Sequence, residues 1–120
     1  MGFTPDDLLL LEETREVRIE TRRGDRTYRT VIWVVVDDGA VFVRSVRGES
    51  GRWYERVLAD PDVVLHVAGR QIAARAESAA DDESVELTSA ALRRKYPPGQ
   101  SLDSMLRPEV LDTTLRLDPV

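Results

Sequence analysis

The chain has 120 residues, of which 42% are hydrophobic and 32% charged, and it carries a formal net charge of −5 at pH 7. These values fit one globular domain spanning residues 1–120 and leave no room for two full cores. The absence of cysteine excludes disulfides and thiolate metal sites, and the acidic balance argues against a nucleic-acid partner.

The apolar segments are short. The longest unbroken one runs from Val31 to Val36, whereas a membrane-spanning helix needs about 20 apolar residues. The first seven residues are acidic, without the basic and apolar segments of a signal peptide. We therefore expect a cytoplasmic protein without a membrane partner.

In the first half of the chain, the hydrophobic pattern predicts one helix followed by three strands. A proline and two aspartates after Thr4 are typical of a helix start, and alternation of apolar and charged residues from Val17 indicates a half-buried strand. The predicted elements are a helix from Thr4 to near Glu13, a strand from Val17, a turn at Arg23–Arg26, a strand from Tyr28 to Val36, a tight turn at Asp37–Ala40, and a strand from Val41 to Ser45.

The second half predicts two helices and three strands. Apolar residues at helical spacing indicate a helix before Pro61, which stops it. The predicted elements are a helix from Ser50 to Ala59, a strand from Val63 to Ala68, a two-residue turn at Gly69-Arg70, a strand over Ile72–Ala76, a helix that begins at Asp81–Ser84 and ends at Pro97, a loop or single helical turn over 100–109, and a strand from Leu111 to Leu117.

The order of these elements predicts the fold class. Hairpins dominate the connections, so the sheet should be mainly antiparallel. Six short strands with few helices favour a barrel, because closure removes exposed sheet edges. We therefore predict a mainly β protein with short helices, built as a six-stranded, mostly antiparallel split β-barrel.

Two turn regions, residues 22–30 and 45–52, combine arginines, glycines and hydroxyl groups. A helix that starts near Ser50 would direct free backbone amides towards the preceding loop, where an anion could bind. Gly48 and Gly51 would let the backbone approach a ligand closely. Arg47 and Arg52 could neutralise a phosphate or carboxylate. The alternative is that both regions are ordinary solvated turns.

Other chemistries have weaker signals. The single histidine, His66, lies on a predicted strand, where a partly exposed structural residue is a better interpretation than a general base. The segment 48–52 resembles a serine nucleophile elbow, but that motif needs glycine where Arg52 stands. No spacing of histidine and carboxylates predicts a metal site, and no catalytic residue is identified.

Residues 17–77 resemble the small deazaflavin-dependent nitroreductases, which belong to the pyridoxamine-phosphate-oxidase-like split barrels. Three stretches carry the resemblance: Val43-Arg44-Ser45-Val46-Arg47-Gly48, Gly51-Arg52-Trp53-Tyr54, and Leu58-Ala59-Asp60-Pro61-Asp62-Val63. Upstream, Thr21-Arg22-Arg23-Gly24 with Arg29-Thr30 is similar to the phosphate-contacting hairpin of that family. The match is closest to uncharacterised members of the superfamily.

The resemblance implies a homodimer that binds a deazaflavin or flavin mononucleotide in a groove between two barrels. It implies that the hairpin arginines meet the cofactor tail, that residues 45–48 line the ring system, and that the start of the following helix closes the site. The residues so implied are Arg26, Arg29, Thr30, Ser45, Val46, Arg47, Gly48, Arg52 and Trp53. The cofactor would carry the hydride, and the protein would bind and orient the cofactor.

The sequence also departs from the family pattern. Gly51 stands where the family usually has proline two residues before the tryptophan, and Arg56 stands where it has asparagine. Asp25 lies in the hairpin loop and would repel a phosphate. These departures keep an alternative open, namely a non-catalytic split-barrel dimer that has lost redox chemistry and binds another anionic small molecule or none.

Overall fold

The computed structural model describes residues 3–120, which form five α-helices, seven strands and one short 3₁₀ turn. Met1 and Gly2, which the single-domain prediction for residues 1–120 includes, lie outside the described residues. The elements are α1 (Pro5–Glu13), β1 (Glu16–Arg23), β2 (Arg26–Trp33), β3 (Val35–Asp37), β4 (Ala40–Val43), the 3₁₀ turn (Gly48–Ser50), α2 (Arg52–Ala59), β5 (Asp62–Val67), β6 (Arg70–Ser78), α3 (Asp82–Lys95), α4 (Gln100–Met105), α5 (Pro108–Leu111) and β7 (Leu115–Pro119).

The strands form one sheet in the order β2-β1-β5-β6-β7-β4-β3, and every neighbouring pair is antiparallel. The two outer strands, β2 and β3, are consecutive in the chain and are separated only by Val34. Because one bent segment supplies both edges, the sheet curls into a half-barrel that is split between β2 and β3, which do not pair with each other. The predicted split-barrel class is confirmed.

The strand count differs from the prediction, because Tyr28–Val36 is not one strand. At Val34 the backbone leaves the sheet and bonds to the end of α3: its amide donates to the Tyr96 hydroxyl over 3.2 Å, and its carbonyl accepts from Lys95 Nζ at 2.6 Å. Satisfying a buried backbone group outside the ladder ends one strand and starts the next. The barrel therefore has seven strands rather than six.

Four local predictions need correction. The hairpin between β5 and β6 turns at Ala68-Gly69, both with positive φ, rather than at Gly69-Arg70. Residues 108–111 are helical, because Pro108 takes the first helical position, so the last strand begins at Leu115 rather than Leu111. The segment 100–109, predicted as a loop or a single helical turn, holds the six-residue helix α4. The helix predicted from Ser50 begins at Arg52, after the 3₁₀ turn.

Two hydrophobic clusters hold these elements. The larger fills the barrel with the inward residues of the strands, joined by Leu11 of α1 and by Trp53, Tyr54 and Val57 of α2. The smaller lies outside the barrel, where α3 and α4 pack on Val35 and Phe42. Because β3 and β4 are covered on both faces, Val35–Val36 and the residues 40–43 are continuously apolar. Among the described residues, no helix is long and apolar enough to cross a membrane.

Candidate functional site

A cleft of about 420 Å³ opens at the split of the barrel. One wall is the end of β2, whose outer edge has no strand partner among residues 3–120. The opposite wall is the loop after β4 with the start of α2, and α4 covers the third side. The lining residues are Glu16, Thr30, Val31, Ile32, Trp33, Arg44, Ser45, Val46, Arg47, Gly51, Trp53, Ser101, Ser104 and Met105. We refer to this space as the cleft.

The loop after β4 is held by its own hydrogen bonds. The Ser45 amide donates to Thr113 Oγ1 over 3.1 Å, and the Ser45 hydroxyl donates to the carbonyl of Gly48 over 2.8 Å. Gly48 has a φ of +64°, and a Cβ there would lie 3.0 Å from the carbonyl oxygen of Glu109. A Cβ at Gly51 would overlap the Ser45 hydroxyl. Both glycines are therefore required by packing within the loop.

Arg44, the residue that follows β4, is 2% exposed and lines the cleft. Its Nε donates to Thr114 Oγ1 at 2.9 Å, its Nη1 to Ser89 Oγ at 3.1 Å and to the Met105 carbonyl at 3.0 Å, and its Nη2 to the Val85 carbonyl at 3.1 Å. Burial, with a smaller contribution from the positive charge of Arg93, lowers the pKa of Arg44 to about 10. The side chain therefore stays charged at neutral pH.

Aromatic rings form two sides of the cleft. Trp33 stacks on Tyr96 with ring centroids 3.8 Å apart and an interplanar angle of 5°. The Tyr96 hydroxyl is fixed in turn, since it donates to the Arg15 carbonyl over 2.6 Å. Trp53 is 7% exposed and packs edge-on against Tyr54. The cleft thus has one indole held flat by a second ring and another held by the barrel core.

The structure brings five of the nine predicted site residues into the lining of the cleft: Thr30, Ser45, Val46, Arg47 and Trp53. The other four, Arg26, Arg29, Gly48 and Arg52, lie outside its lining. Gly48 is buried against Glu109, and Arg52 is exposed at the first turn of α2. The Arg29 Nε lies 3.5 Å from Glu20 on the outer face of the sheet.

The hairpin between β1 and β2 is therefore separate from the cleft. Arg26 is about 13 Å from Thr30 along the strand, at roughly 3.3 Å per residue. Arg22 pairs with Asp60 and Asp62 at 3.6 and 3.9 Å. Of the two turn regions considered as phosphate sites, the structure places one beside the cleft and gives Arg22 and Arg29 of the other carboxylate partners on the sheet surface.

Several lining residues were missed from the sequence. Arg44 had a detectable signal, because it follows the buried run Val41–Val43 where an apolar residue is expected. Trp33 was interpreted as an ordinary strand residue, and nothing local shows that Tyr96 stacks behind it. Ser101, Ser104 and Met105 belong to α4, where a loop or a single helical turn was predicted.

The single histidine lies away from the cleft. Its Nε2 is 2.8 Å from Glu20 Oε1 on the outer face of the sheet, where it borders a separate depression with Arg18 and Arg70. Within residues 3–120, no group of three or more histidines and carboxylates could hold a metal ion. Among the described residues, the ionisable side chains that line the cleft are Glu16, Arg44 and Arg47.

Solved structures share this architecture. The heme storage protein HutZ of Vibrio cholerae superposes with a TM-score of 0.72 at 15% identity, over 100% of this chain and 92% of that one. An FAD-binding protein of Mesorhizobium loti gives 0.65 at 17% identity, over 100% and 92%. An F420 reductase gives 0.64 at 14% identity, over 93% and 91%.

The fold is thus that of the pyridoxamine-phosphate-oxidase-like split barrels, the class that the sequence resembles. Residues 7–117 match the model of a family described as uncharacterized protein conserved in bacteria, DUF2255, and the chain belongs to that family. No functionally curated protein matches the sequence.

Proposed function

We propose that the protein is an oxidoreductase that binds a deazaflavin or flavin mononucleotide in the cleft and transfers hydride to a small molecule. The observation that carries the proposal is the flat wall of Trp33, backed by Tyr96, in a cleft that also presents two arginines. Its volume of about 420 Å³ lies within the range of about 300–1,000 Å³ typical of ligand pockets.

The residues present fit the ring part of such a cofactor. Trp33 and Trp53 offer apolar surface to a planar ring, and the outer edge of β2 offers backbone groups that the sheet leaves unpaired. Thr30, Ser101 and Ser104 add hydroxyl groups, and Arg47 places a charge at the rim. A bound flavin or deazaflavin itself supplies the hydride chemistry, so the cleft needs no general acid or base of its own.

The names of two of the similar structures support a flavin or deazaflavin as the cofactor, but they do not establish it for this chain. One neighbour is described as FAD-binding and another as an F420 reductase, whereas HutZ is described as a heme storage protein. These proteins are 14–17% identical to this chain. A shared fold at this distance leaves the activity to be argued from the cleft.

We also propose that two copies of the chain pair across the open edge of β2 in the cytoplasm. Val31 and Val46 are 53% and 46% exposed on the rim of the cleft. Burying exposed apolar side chains favours association, and a second copy seated on this rim would also narrow the mouth of the cleft. Sedimentation analysis should show a dimer that Val31→Glu dissociates and that Leu58→Glu, at a similarly exposed leucine of α2, leaves intact.

The cofactor proposal is tested by the spectrum of the native protein and by titration. Purified protein should release a flavin or deazaflavin identified by absorbance and mass. If it is isolated empty, flavin mononucleotide or the deazaflavin should quench its fluorescence, because the chain has two tryptophans and both line the cleft. Binding should also raise the melting temperature.

A matched pair of variants on α4 locates the binding site. Ser101 lines the cleft, while Asp103, two residues further on, is equally exposed to solvent and lies outside its lining. Ser101→Phe should block cofactor binding, and Asp103→Phe should leave it unchanged. A colourless protein that neither cofactor quenches or stabilises would contradict the proposal.

The second candidate is a split-barrel protein that binds an anionic molecule without redox chemistry. Arg26, Arg29 and Arg52 are the hairpin and helix arginines expected to hold a cofactor phosphate. All three lie outside the lining of the cleft, which supports this candidate. A stoichiometric redox cofactor in the native protein would exclude this candidate.

A further inference from the structure

Arg44 is a buried positive charge without a carboxylate partner. It is 2% exposed, and its four hydrogen bonds all go to uncharged oxygens, two hydroxyls and two carbonyls. Among the ion pairs within the described chain, none involves Arg44. Because burying a charge is costly unless an opposite charge accompanies it, this position favours the arrival of an anion.

The guanidinium also retains a donor. It carries five N–H groups, and its hydrogen bonds to Thr114, Ser89, Met105 and Val85 use four of them. The acceptors lie on α3, α4 and the segment before β7, so the side chain cannot leave its position without breaking these bonds. Within residues 3–120, these bonds leave one N–H on Nη2 unused.

The charges along the cleft favour an anion as well. Arg44 and Arg47 line it together with one acidic residue, Glu16. After burial, the positive charge of Arg93 also lowers the pKa of Arg44. In a partly enclosed site, such uncompensated positive charge attracts an anion more strongly than the same charge in water.

The shape of the cleft favours a planar molecule. Trp33 presents its face while Tyr96 stacks behind it at 3.8 Å, and stacked rings are a favourable surface for a further flat ring. Ser101 and Ser104 add hydroxyl groups on the side of α4. One free N–H and these hydroxyls suit the two oxygens of a monoanionic carboxylate better than the three of a phosphate dianion.

We propose that the cleft binds an aromatic carboxylate, with Arg44 recognising the carboxylate and Trp33 contacting the ring. The inference rests on the proposed function in taking the cleft as the ligand site, and it names a second class of ligand for that site, one that competes with the cofactor ring for the open face of Trp33. It requires no particular coenzyme, so it can be tested on the empty protein.

The test uses benzoate, its neutral analogue benzamide, and inorganic phosphate, each titrated into the full chain while tryptophan fluorescence is followed. A charge-assisted hydrogen bond distinguishes the first two probes, so benzoate should bind at least about tenfold more tightly than benzamide. Phosphate should not displace benzoate. Equal binding of benzoate and benzamide, or displacement by phosphate, would overturn the proposal.

Two arginine variants test whether Arg44 is the residue that recognises the carboxylate. Arg44→Met should remove the preference for benzoate over benzamide, whereas Arg93→Met, which removes an exposed arginine of the adjacent helix, should keep it. If Arg44→Met keeps the preference, Arg44 is not the recognition residue. If this variant fails to fold, a crystal of the unaltered protein with 4-bromobenzoate decides, since the bromine locates the ring and the carboxylate must contact Arg44.

The two proposals can fail separately. Discrimination between benzoate and benzamide in a protein that binds no flavin or deazaflavin would end the oxidoreductase proposal and leave the carboxylate site. A protein that carries a flavin but binds both probes equally would retain the redox function and lose the inferred ligand class.

Discussion

The hairpin between β1 and β2 and the loop after β4 have similar sequences but different surroundings. Both combine arginine, glycine and hydroxyl residues, and both were predicted to bind phosphate. In the hairpin region, Arg22 and Arg29 lie beside carboxylates on the surface of the sheet. In the loop region, Arg44 is buried among neutral oxygens and Arg47 lies at the rim of the cleft.

The difference shows that an arginine cluster predicts an anion site only where the fold leaves its charge unpaired. A surface arginine beside a carboxylate contributes little to stability and has a partner already. A buried arginine without such a partner keeps its attraction for a ligand. Three pairs of measurements test this contrast between the hairpin and the loop, and a fourth tests the bend at Val34.

The largest expected effect is a difference in stability between a variant of the buried Arg44 and a variant of the exposed Arg29. Arg44→Met should lower the free energy of unfolding by about 2–5 kcal/mol, because it leaves the buried carbonyls of Met105 and Val85 without a donor. Arg29→Met should change it by less than about 1 kcal/mol, as for other exposed pairs. Urea denaturation of both variants provides the comparison, and equal losses would contradict it.

The glycines of the two turns should respond differently to the same substitution. Gly51→Asn should cost about 1–3 kcal/mol, because the added Cβ overlaps the Ser45 hydroxyl. Gly24 has a φ of +63° with no atom within 4 Å of its Cβ position, and asparagine tolerates that conformation. Gly24→Asn should therefore be close to neutral in thermal denaturation, and a larger loss at Gly24 than at Gly51 would show that the loop is not packed as described.

Ligand affinity provides the next comparison. Arg47→Gln removes an exposed charge at the rim of the cleft and should weaken benzoate binding by about two- to fivefold, the range for an exposed charge interaction. Arg26→Gln, at the tip of the hairpin, should leave the affinity unchanged. If Arg26→Gln weakens binding instead, the hairpin takes part in the site, as the resemblance implied, and the contrast fails.

The smallest effect concerns the bend at Val34 that joins the hairpin to the rest of the barrel. Burial lowers the pKa of Lys95 to about 8 from its usual 10.5, so above pH 8 the unfolded chain binds a proton that the folded chain does not. Stability from this group should therefore rise with pH between 8 and 10.5. A neutral amine still has two N–H groups for the carbonyls of Leu11 and Val34.

Thermal denaturation between pH 8 and pH 9.5 checks whether the stability rises or falls with pH. This range lies below the ionisation of Tyr96, whose pKa burial raises to about 12. The unaltered protein should gain stability relative to Lys95→Met across the range. A relative loss would mean that the charged ammonium holds the bend, and that folding depends on protonated Lys95.

The sequence by itself determined most of the secondary structure and the class of fold. The alternation from Val17, the Asp38-Gly39 turn and the helix start at Thr4 all depend on neighbours in the chain, and the structure confirms them. The split barrel followed from the order of hairpins, together with the family resemblance, because antiparallel strands joined by short turns leave few ways to bury their apolar faces.

Only the tertiary structure decided where the barrel bends and which arginines share a cleft. The break at Val34 depends on Lys95 and Tyr96, which are more than sixty residues away. The isolation of Arg44 depends on α3, α4 and the segment before β7, which offer it only neutral oxygens. A local pattern records which groups a residue carries. Whether those groups meet a partner, water or an empty cleft is set by contacts between segments that are distant in the chain.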